Sequence, residues 1–386
     1  MKLLFISNFL NHHQTPVSDE LFRFLGENYG FISTQSTPKE FLKSGYPNCE
    51  NYEYNILAYL NHNNLAKAQK LTTEADIVIF GSCAIPELLQ IRLKTGKPFF
   101  KYSERIFKKC SSYLFLPYHL LNGNYWRSHI SLRHKPVYLL CAGAYVANDF
   151  SLISAYQGKM YKWGYFTKNE NIDILKLLDE KKKIIKKRLL WVGRFIDWKH
   201  PELPIKLAHN LKIKGYDFQL DMIGGGYLEK HIKKLILDLK VEDCVNLLGN
   251  MPNEMVLQKM RKSNIFLFTS DRQEGWGAPL NEAMSNGCAV VASNMIGAVP
   301  FLLEKPETGL IFNSGNLKSL QSEVEKLLDD PVLTNSIAYN AYNEIVNVWS
   351  PSNAAKNLLE LCTAILNNKT TDITILNGPC SKAYTL

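Results

Sequence analysis

The chain has 386 residues, of which 46% are hydrophobic and 21% charged, enough for two domains of about 150 to 200 residues and too apolar for disorder. Lys+Arg 45 against Asp+Glu 36 leaves a formal charge of +9 and a pI near 8.9, which suits phosphates, nucleic acid or anionic lipid without choosing among them. The eight cysteines are scattered, with no Cys-x-x-Cys or Cys/His cluster, so a disulfide scaffold and a structural zinc site are excluded.

The opening run Met1 to Ser7 is too short for a signal peptide and is stopped by Asn8, and no apolar run reaches the roughly 18 residues of a membrane span. A soluble, cytoplasmic α/β protein is the expectation. Short apolar runs alternate with amphipathic stretches of helical length, the rhythm of parallel sheets with helical crossovers. In the first half the strands are expected at 2–7, 77–80, 98–102 and 137–141, with helices at 16–27, 86–93 and 144–156. The Lys-rich segment 179–188 reads as a solvated linker or helix end.

Beyond it, strands are expected at 189–192, 218–223, 245–248, 265–269, 289–292 and 309–312, separated by helices at 202–214, 228–240, 254–261, 279–285 and 317–328. Residues 332–366 look helical and 370–386 read as a loose tail. The expected division is 1–180, a first Rossmann-like domain; 181–350, a second; and 351–386, a helix packing back toward the first domain followed by the tail. Two doubly wound halves place a ligand crevice at the carboxyl ends of their strands.

The strongest local motif is Glu274-Gly275-Trp276-Gly277-Ala278-Pro279-Leu280-Asn281-Glu282, directly after a strand. Its glycines allow close backbone approach, Pro279 suits the first turn of a helix, and the amides at that helix start form an anion site. Glu274 and Glu282 flank the site, and a carboxylate beside a phosphate is favourable only if it accepts from ligand hydroxyls. That combination points to a nucleotide sugar, hydroxylated at both ends of a diphosphate. Arg194 and Lys199 follow the first strand of the second half and can converge on one anion, Arg as a fork and Lys as a point charge. Gly225, in the run Gly224-Gly225-Gly226, marks a turn whose backbone can line a pocket. The ordinary alternative for these residues is a solvated loop acid, a first-turn helix acid and a surface ion pair.

These motifs, in this order from residue 189 to 328, resemble the C-terminal domain of family-four, GT-B-type glycosyltransferases. The resemblance implies two Rossmann-like domains facing each other across a deep cleft. It also implies a retaining transfer of a hexose-type sugar from a UDP- or GDP-sugar to a saccharide hydroxyl, in capsule, O-antigen or other surface polysaccharide assembly at the inner face of the cytoplasmic membrane. Carried onto this chain, Arg194 and Lys199 hold the diphosphate and Glu274 contacts the hexose. Glu282 binds the ribose, the backbone of Gly275 to Leu280 lines sugar and phosphate, and Asn250 and Met251 wall the base. The Asp-x-Asp arrangement of metal-dependent glycosyltransferases is absent from the sequence, so a metal-free mechanism with no cofactor is expected. The same-fold alternative is a nucleotide-sugar epimerase; the alternative of another class is a non-catalytic module that binds a sugar nucleotide or polysaccharide.

The first half departs from the family pattern. After its first strand stand Asn11, His12, His13 and Gln14, able to hydrogen-bond an acceptor, with His13 the candidate to relay a proton. After the strand at 98–102, where several relatives carry a His, stand Glu104 and Arg105, candidate pocket residues. The stretch 92–135 mixes Arg92, Lys97, Lys101 and Lys108 with Tyr113, Phe115, Tyr118 and Trp126. Cations beside aromatics suit an anionic membrane surface, while the plainer reading, a basic helix followed by an internal apolar segment, is preferred. Nucleic-acid binding is not expected, since no binding motif accompanies the charge. The implied partners are a nucleotide sugar and a saccharide acceptor, free or lipid-linked.

Overall fold

A computed structural model describes residues 1–43, 47–109, 117–118, 124–168, 170–369 and 373–386. The chain divides into two compact units: Met1–Lys168 with Val348–Leu386 form unit 1, and Asn169–Asn347 form unit 2.

Unit 1 is built on seven parallel strands, β1 (Leu3–Ser7), β2 (Tyr29–Ser33), β3 (Asn55–Leu57), β4 (Ile77–Phe80), β5 (Phe99–Ser103), β6 (Val137–Ala142) and β7 (Met160–Trp163), in the order β3-β2-β1-β4-β5-β6-β7. β1 and β4 are buried along their whole length, because a central parallel strand is covered on both faces and takes a continuous apolar run. The main helices are α1 (Thr15–Leu25), α2 (His62–Glu74), α3 (Pro86–Thr95) and α4 (Tyr145–Leu152). α3 opens on Pro86 and closes on Gly96 in the left-handed region (φ 67°), so the chain turns back into β5 at its last turn.

Unit 2 repeats the plan with six parallel strands, β8 (Lys187–Val192), β9 (Phe218–Ile223), β10 (Val245–Leu247), β11 (Ile265–Phe268), β12 (Ala289–Ser293) and β13 (Leu310–Phe312), in the order β10-β9-β8-β11-β12-β13. Its main helices are α5 (Ile174–Lys182), α6 (Glu202–Ile213), α7 (Glu229–Asp238), α8 (Asn253–Arg261), α9 (Ala278–Ser285), α10 (Leu317–Asp329) and α11 (Pro331–Asn343). In each sheet the strand order reverses at one point, between β1 and β4 and between β8 and β11, where an open α/β sheet leaves a crevice above the carboxyl ends of its strands.

The first division between units falls after Lys168 rather than near 180. α5 belongs to unit 2 because Ile174 and Leu178 join its core, and because Lys181, expected on a solvated linker, is only 3% exposed and turned inward. The helix expected over 332–366 is two helices, α11 and α12 (Pro351–Leu366), separated by a π-helical turn at Glu344–Val348. Ser350 starts α12 by accepting from the Asn353 amide, and α12 packs against α1 in unit 1.

The end of the chain is not a loose tail. Lys382 pairs antiparallel with Tyr161 of β7, and the Cys380 and Ala383 amides donate to the Lys162 and Met160 carbonyls at 2.7 and 3.1 Å. This segment covers part of an edge strand whose N–H and C=O groups would otherwise lie open. Nothing in the segment's own sequence shows the open edge of β7 that holds it.

Candidate functional site

In unit 2 the loops after β8 and β11 meet at the switch point and are joined by specific bonds. Thr269, just past β11, accepts from the Trp191 indole at 2.8 Å and donates to the Lys199 carbonyl at 2.7 Å. The Asp271 amide donates to the Trp198 carbonyl at 2.9 Å. This lacing carries the Lys199 ammonium onto Oε2 of Glu274, where the two form an ion pair with only 10% and 12% of their side chains exposed. Lys199 Nζ also lies 4.6 Å from the centre of the Trp198 ring, and the exposed Arg194 guanidinium lies 5.8 Å from the same ring. Trp198 is therefore the shared platform under both cations, a role the sequence did not signal.

The glycines of this region serve loop packing. A Cβ on Gly224 would stand 1.9 Å from the Gly193 carbonyl oxygen, and one on Gly226 2.4 Å from that of Phe195. The turn after β9 thus lies directly on the turn after β8, tied by the Phe195 amide to the Gly225 carbonyl at 2.9 Å. Gly225 faces the Asn250 side chain, which puts the loop after β10, with Asn250 and Met251, at the same end of the sheet.

Gly277 (φ 105°) caps α9, and no side chain fits there, since its Cβ would lie 2.6 Å from the Phe268 ring. Gly275 and Trp276 are held from behind, their carbonyl region tied to the Gly297 and Ala298 segment. The Trp276 indole is buried and donates to Asn281 at 2.9 Å, and the Leu280 side chain is buried too. Only the backbone of these residues, with Gly277, Ala278 and Pro279, faces the helix start, where amides without an intrahelical acceptor lie at the positive end of the helix dipole. One helical turn on, burial pushes the Glu282 carboxyl up to about 7, against a hydrogen bond from Asn253 at the start of α8 that favours the charged form.

Unit 1 gathers the other predicted residues at its own switch point. Asn11, His12, His13, Gln14 and Glu104 line one cavity of about 460 Å³. Asn11 shapes the loop, its side chain accepting from the His13 amide and donating to Gln14, both at 3.0 Å. The two imidazoles lie 3.8 Å apart, and His13 stacks on Tyr165 at 5.3 Å. Burial holds His12 down at about 4 and His13 at about 3, the latter lowered further by the charge of His12, so both rings are neutral at neutral pH. Glu104 accepts from the Tyr165 hydroxyl on Oε1 and from Lys108 on Oε2. Phe41, Tyr102 and Tyr165 complete the wall and were not foreseen, because they come from segments far apart in sequence.

Arg105 is not in this cavity. Its guanidinium is buried against Asp149 at 3.2 Å and lies over the Tyr145 ring. Asp149 also accepts from the Phe107 amide at 2.9 Å, so the pair fixes the course of the chain after β5. The basic stretch 92–135 is likewise partly internal: Arg92 is fully buried and donates to the carbonyls of Thr72, Ala75, Asp76 and Pro98. Tyr113 and Phe115 lie outside the described residues, while Tyr118 and Trp126 are exposed. Among the described residues no helix is long and apolar enough to cross a membrane, and no group of three His, Cys, Asp or Glu side chains is placed to hold a metal ion.

Residues 175–344 match the family of glycosyl transferases group 1, a span that lies inside unit 2. Unit 2 is therefore similar to the glycosyl transferases of group 1. The amylovoran biosynthesis glycosyltransferase AmsK of Erwinia amylovora is 33% identical over 145 residues, which cover 36% of this chain and 35% of AmsK. The capsular polysaccharide biosynthesis glycosyltransferase CapM of Staphylococcus aureus is 27% identical over 171 residues, 42% of this chain and 41% of CapM. The matched stretches thus span well under half of either relative. Among solved structures, Anabaena HepE in complex with UDP aligns over 94% of this chain and 100% of its own with a TM-score of 0.70 and 15% identity. The fold is of the GT-B type, two Rossmann-like units.

Proposed function

We propose that this chain transfers a hexose-type sugar from a nucleoside diphosphate sugar, UDP- or GDP-linked, to a hydroxyl of a saccharide acceptor, with retention of configuration and with fixed cations neutralising the leaving group. The observation that carries the reading is the Lys199–Glu274 pair, shielded from water and set beside the amide-rich start of α9. Its two members have complementary uses: a cation for a departing diphosphate and a carboxylate for the hydroxyls of the sugar being moved.

In the reaction the bond from the anomeric carbon to the diphosphate oxygen breaks, and negative charge collects on the β-phosphate. Lys199, Arg194 and the α9 amides are preorganised to meet that charge, an effect worth several kcal/mol in a site sheltered from solvent. The acceptor oxygen bonds to the anomeric carbon on the face the diphosphate leaves, and its proton passes to the departing phosphate oxygen. His13, neutral and held low by burial, serves as a hydrogen-bonding partner rather than as a strong base. Glu282, able to take its charged form near neutrality, accepts from the ribose hydroxyls. The biosynthetic setting, assembly of a bacterial polysaccharide such as a capsule, is supported by what AmsK and CapM are named for.

Incubating the purified protein with UDP- and GDP-sugars, saccharide acceptors and EDTA is expected to release nucleoside diphosphate from one donor. Glu274→Ala should lower that release at least 100-fold while the protein stays folded. Activity that appears only on adding a divalent cation, or a Glu274→Ala protein of near-normal rate, overturns the reading.

A further inference from the structure

Resting on the assignment of the unit 1 cavity to the acceptor, we infer that the ring it accepts is an uncharged sugar, a neutral hexose or N-acetylhexosamine carrying neither carboxylate nor phosphate. The cavity, of about 460 Å³, falls in the usual range for small-molecule sites. Its walls pair aromatic rings, Phe41, Tyr102 and Tyr165, with the amide side chains of Asn8, Asn11 and Gln14. Aromatic faces suit the C–H face of a pyranose, and amides answer its hydroxyls as donor and acceptor.

Charge then separates neutral rings from anionic ones. Among the described residues the lining holds one carboxylate, Glu104, and no lysine or arginine. Lys108, outside the lining, is bonded to Glu104, and Arg105 is paired with buried Asp149. The histidines cannot stand in as cations, because burial keeps both neutral far below neutral pH. A uronate or a sugar phosphate would therefore bring a second negative charge beside Glu104 with no cation among the described lining residues to compensate it, an arrangement that disfavours the anionic ring. A neutral ring meets the opposite situation. Each Glu104 oxygen has one bonded partner, Tyr165 on Oε1 and Lys108 on Oε2, and a carboxylate oxygen can accept two hydrogen bonds, so acceptor capacity remains for sugar hydroxyls. Glu104 thus sets specificity by charge as well as by hydrogen bonding.

Saturation-transfer NMR on the full chain, with methyl glucoside, methyl galactoside and methyl N-acetylglucosaminide set against methyl glucuronide and glucose 6-phosphate, tests this directly. At least one neutral glycoside should bind at millimolar concentration, at least tenfold more tightly than either anionic sugar. Glu104→Gln should weaken the neutral ring about tenfold and bring the glucuronide close to parity with it. Tyr165→Phe, which removes the bond to Glu104 along with that to the Tyr102 hydroxyl but keeps the carboxylate, should move both quantities the same way by less. Stronger binding of glucuronide or glucose 6-phosphate to the wild-type protein, or no binding of any neutral glycoside, overturns the inference. Unchanged discrimination in Glu104→Gln does so as well. Nucleotide-sugar binding, titrated separately on each protein, reports on the donor assignment, so the two readings fail independently.

Discussion

Both units lay parallel strands in the same order around a switch point, yet they furnish it with opposite chemistry. In unit 2 the loops after β8 and β11 bring a lysine onto a carboxylate and aim a helix start at the same place, a site made of fixed charges. In unit 1 the loops after β1 and β5 assemble amides, aromatic rings and two neutral imidazoles around a single carboxylate. On the function proposed above, the scaffold sets where a ligand sits and the loop residues set what it is: a charged group for unit 2 and a polyol for unit 1. The units also share a device away from the sites, a buried cation that holds backbone carbonyls. Arg92 does this near the ends of α2 and α3, and Lys181 reaches the carbonyls of Met260, Asn286 and Gly287 at the ends of α8 and α9.

The sharpest way to break the contrast is Lys199→Ala. It should lower turnover about 10²- to 10³-fold, measured as nucleoside diphosphate release, while leaving sugar binding by unit 1 unchanged in the same NMR titration. A comparable loss of sugar binding would mean that the two chemistries are not separable.

Next is Glu282, whose carboxyl is raised from 4.5 to about 7 in the folded protein. An acid raised on folding binds more protons folded than unfolded, so its drag on stability sets in as pH climbs from about 4.5 and is complete above about 7. At 1.36 kcal/mol per pKa unit, Glu282→Gln should stabilise the protein by up to about 3 kcal/mol at pH 8 and by almost nothing at pH 4. Nucleotide affinity should fall in the same variant. A melting temperature that responds equally at both pH values would show that the carboxyl is not strained by burial.

The smallest effects are those of the two staples. Arg92→Met and Lys181→Met should each cost about 2 kcal/mol, through buried carbonyls that lose a charged donor, with Arg92 the larger because it serves more of them. Hydrogen exchange locates the damage: Arg92→Met should deprotect β4 and β5, and Lys181→Met the ends of α8 and α9. Uniform deprotection of both units by either variant would show that the staples are not local.

Much of unit 2 was legible from the chain, because its central strands carry clear apolar runs, as in β11 and β12, and its Gly and Pro punctuation falls at real turns, as at Gly277 and Pro279. Unit 1 was harder. β2 begins Tyr29-Gly30, a weak strand signal, although Gly30 lies close under Leu4, where a Cβ would come within 3.2 Å of that side chain. β3 has only three residues and α2 a modest amphipathic pattern, so neither stood out. Local motifs picked out Lys199 and Glu274, which the structure pairs, and His12, His13 and Glu104, which it places in one cavity, since each lies in a loop that follows a strand. Trp198, Tyr165 and Asn253 were not assigned roles because those depend on partners brought together by the fold. Arg92, Arg105 and Lys181 misled because composition counts a charge without showing which way it points. Part of the basic excess is thus internal framing rather than an exposed surface.

The return of Val348–Leu386 to unit 1 bears on how the protein is made. Unit 2 is one unbroken segment and can close its core as soon as it leaves the ribosome. Unit 1, though it starts first, must wait for α12 to cover α1 and for Lys382 to reach β7. The nascent chain is therefore expected to mature out of order, with its later-synthesised unit complete while the earlier one still has an uncovered helix and an open sheet edge for chaperones to shield.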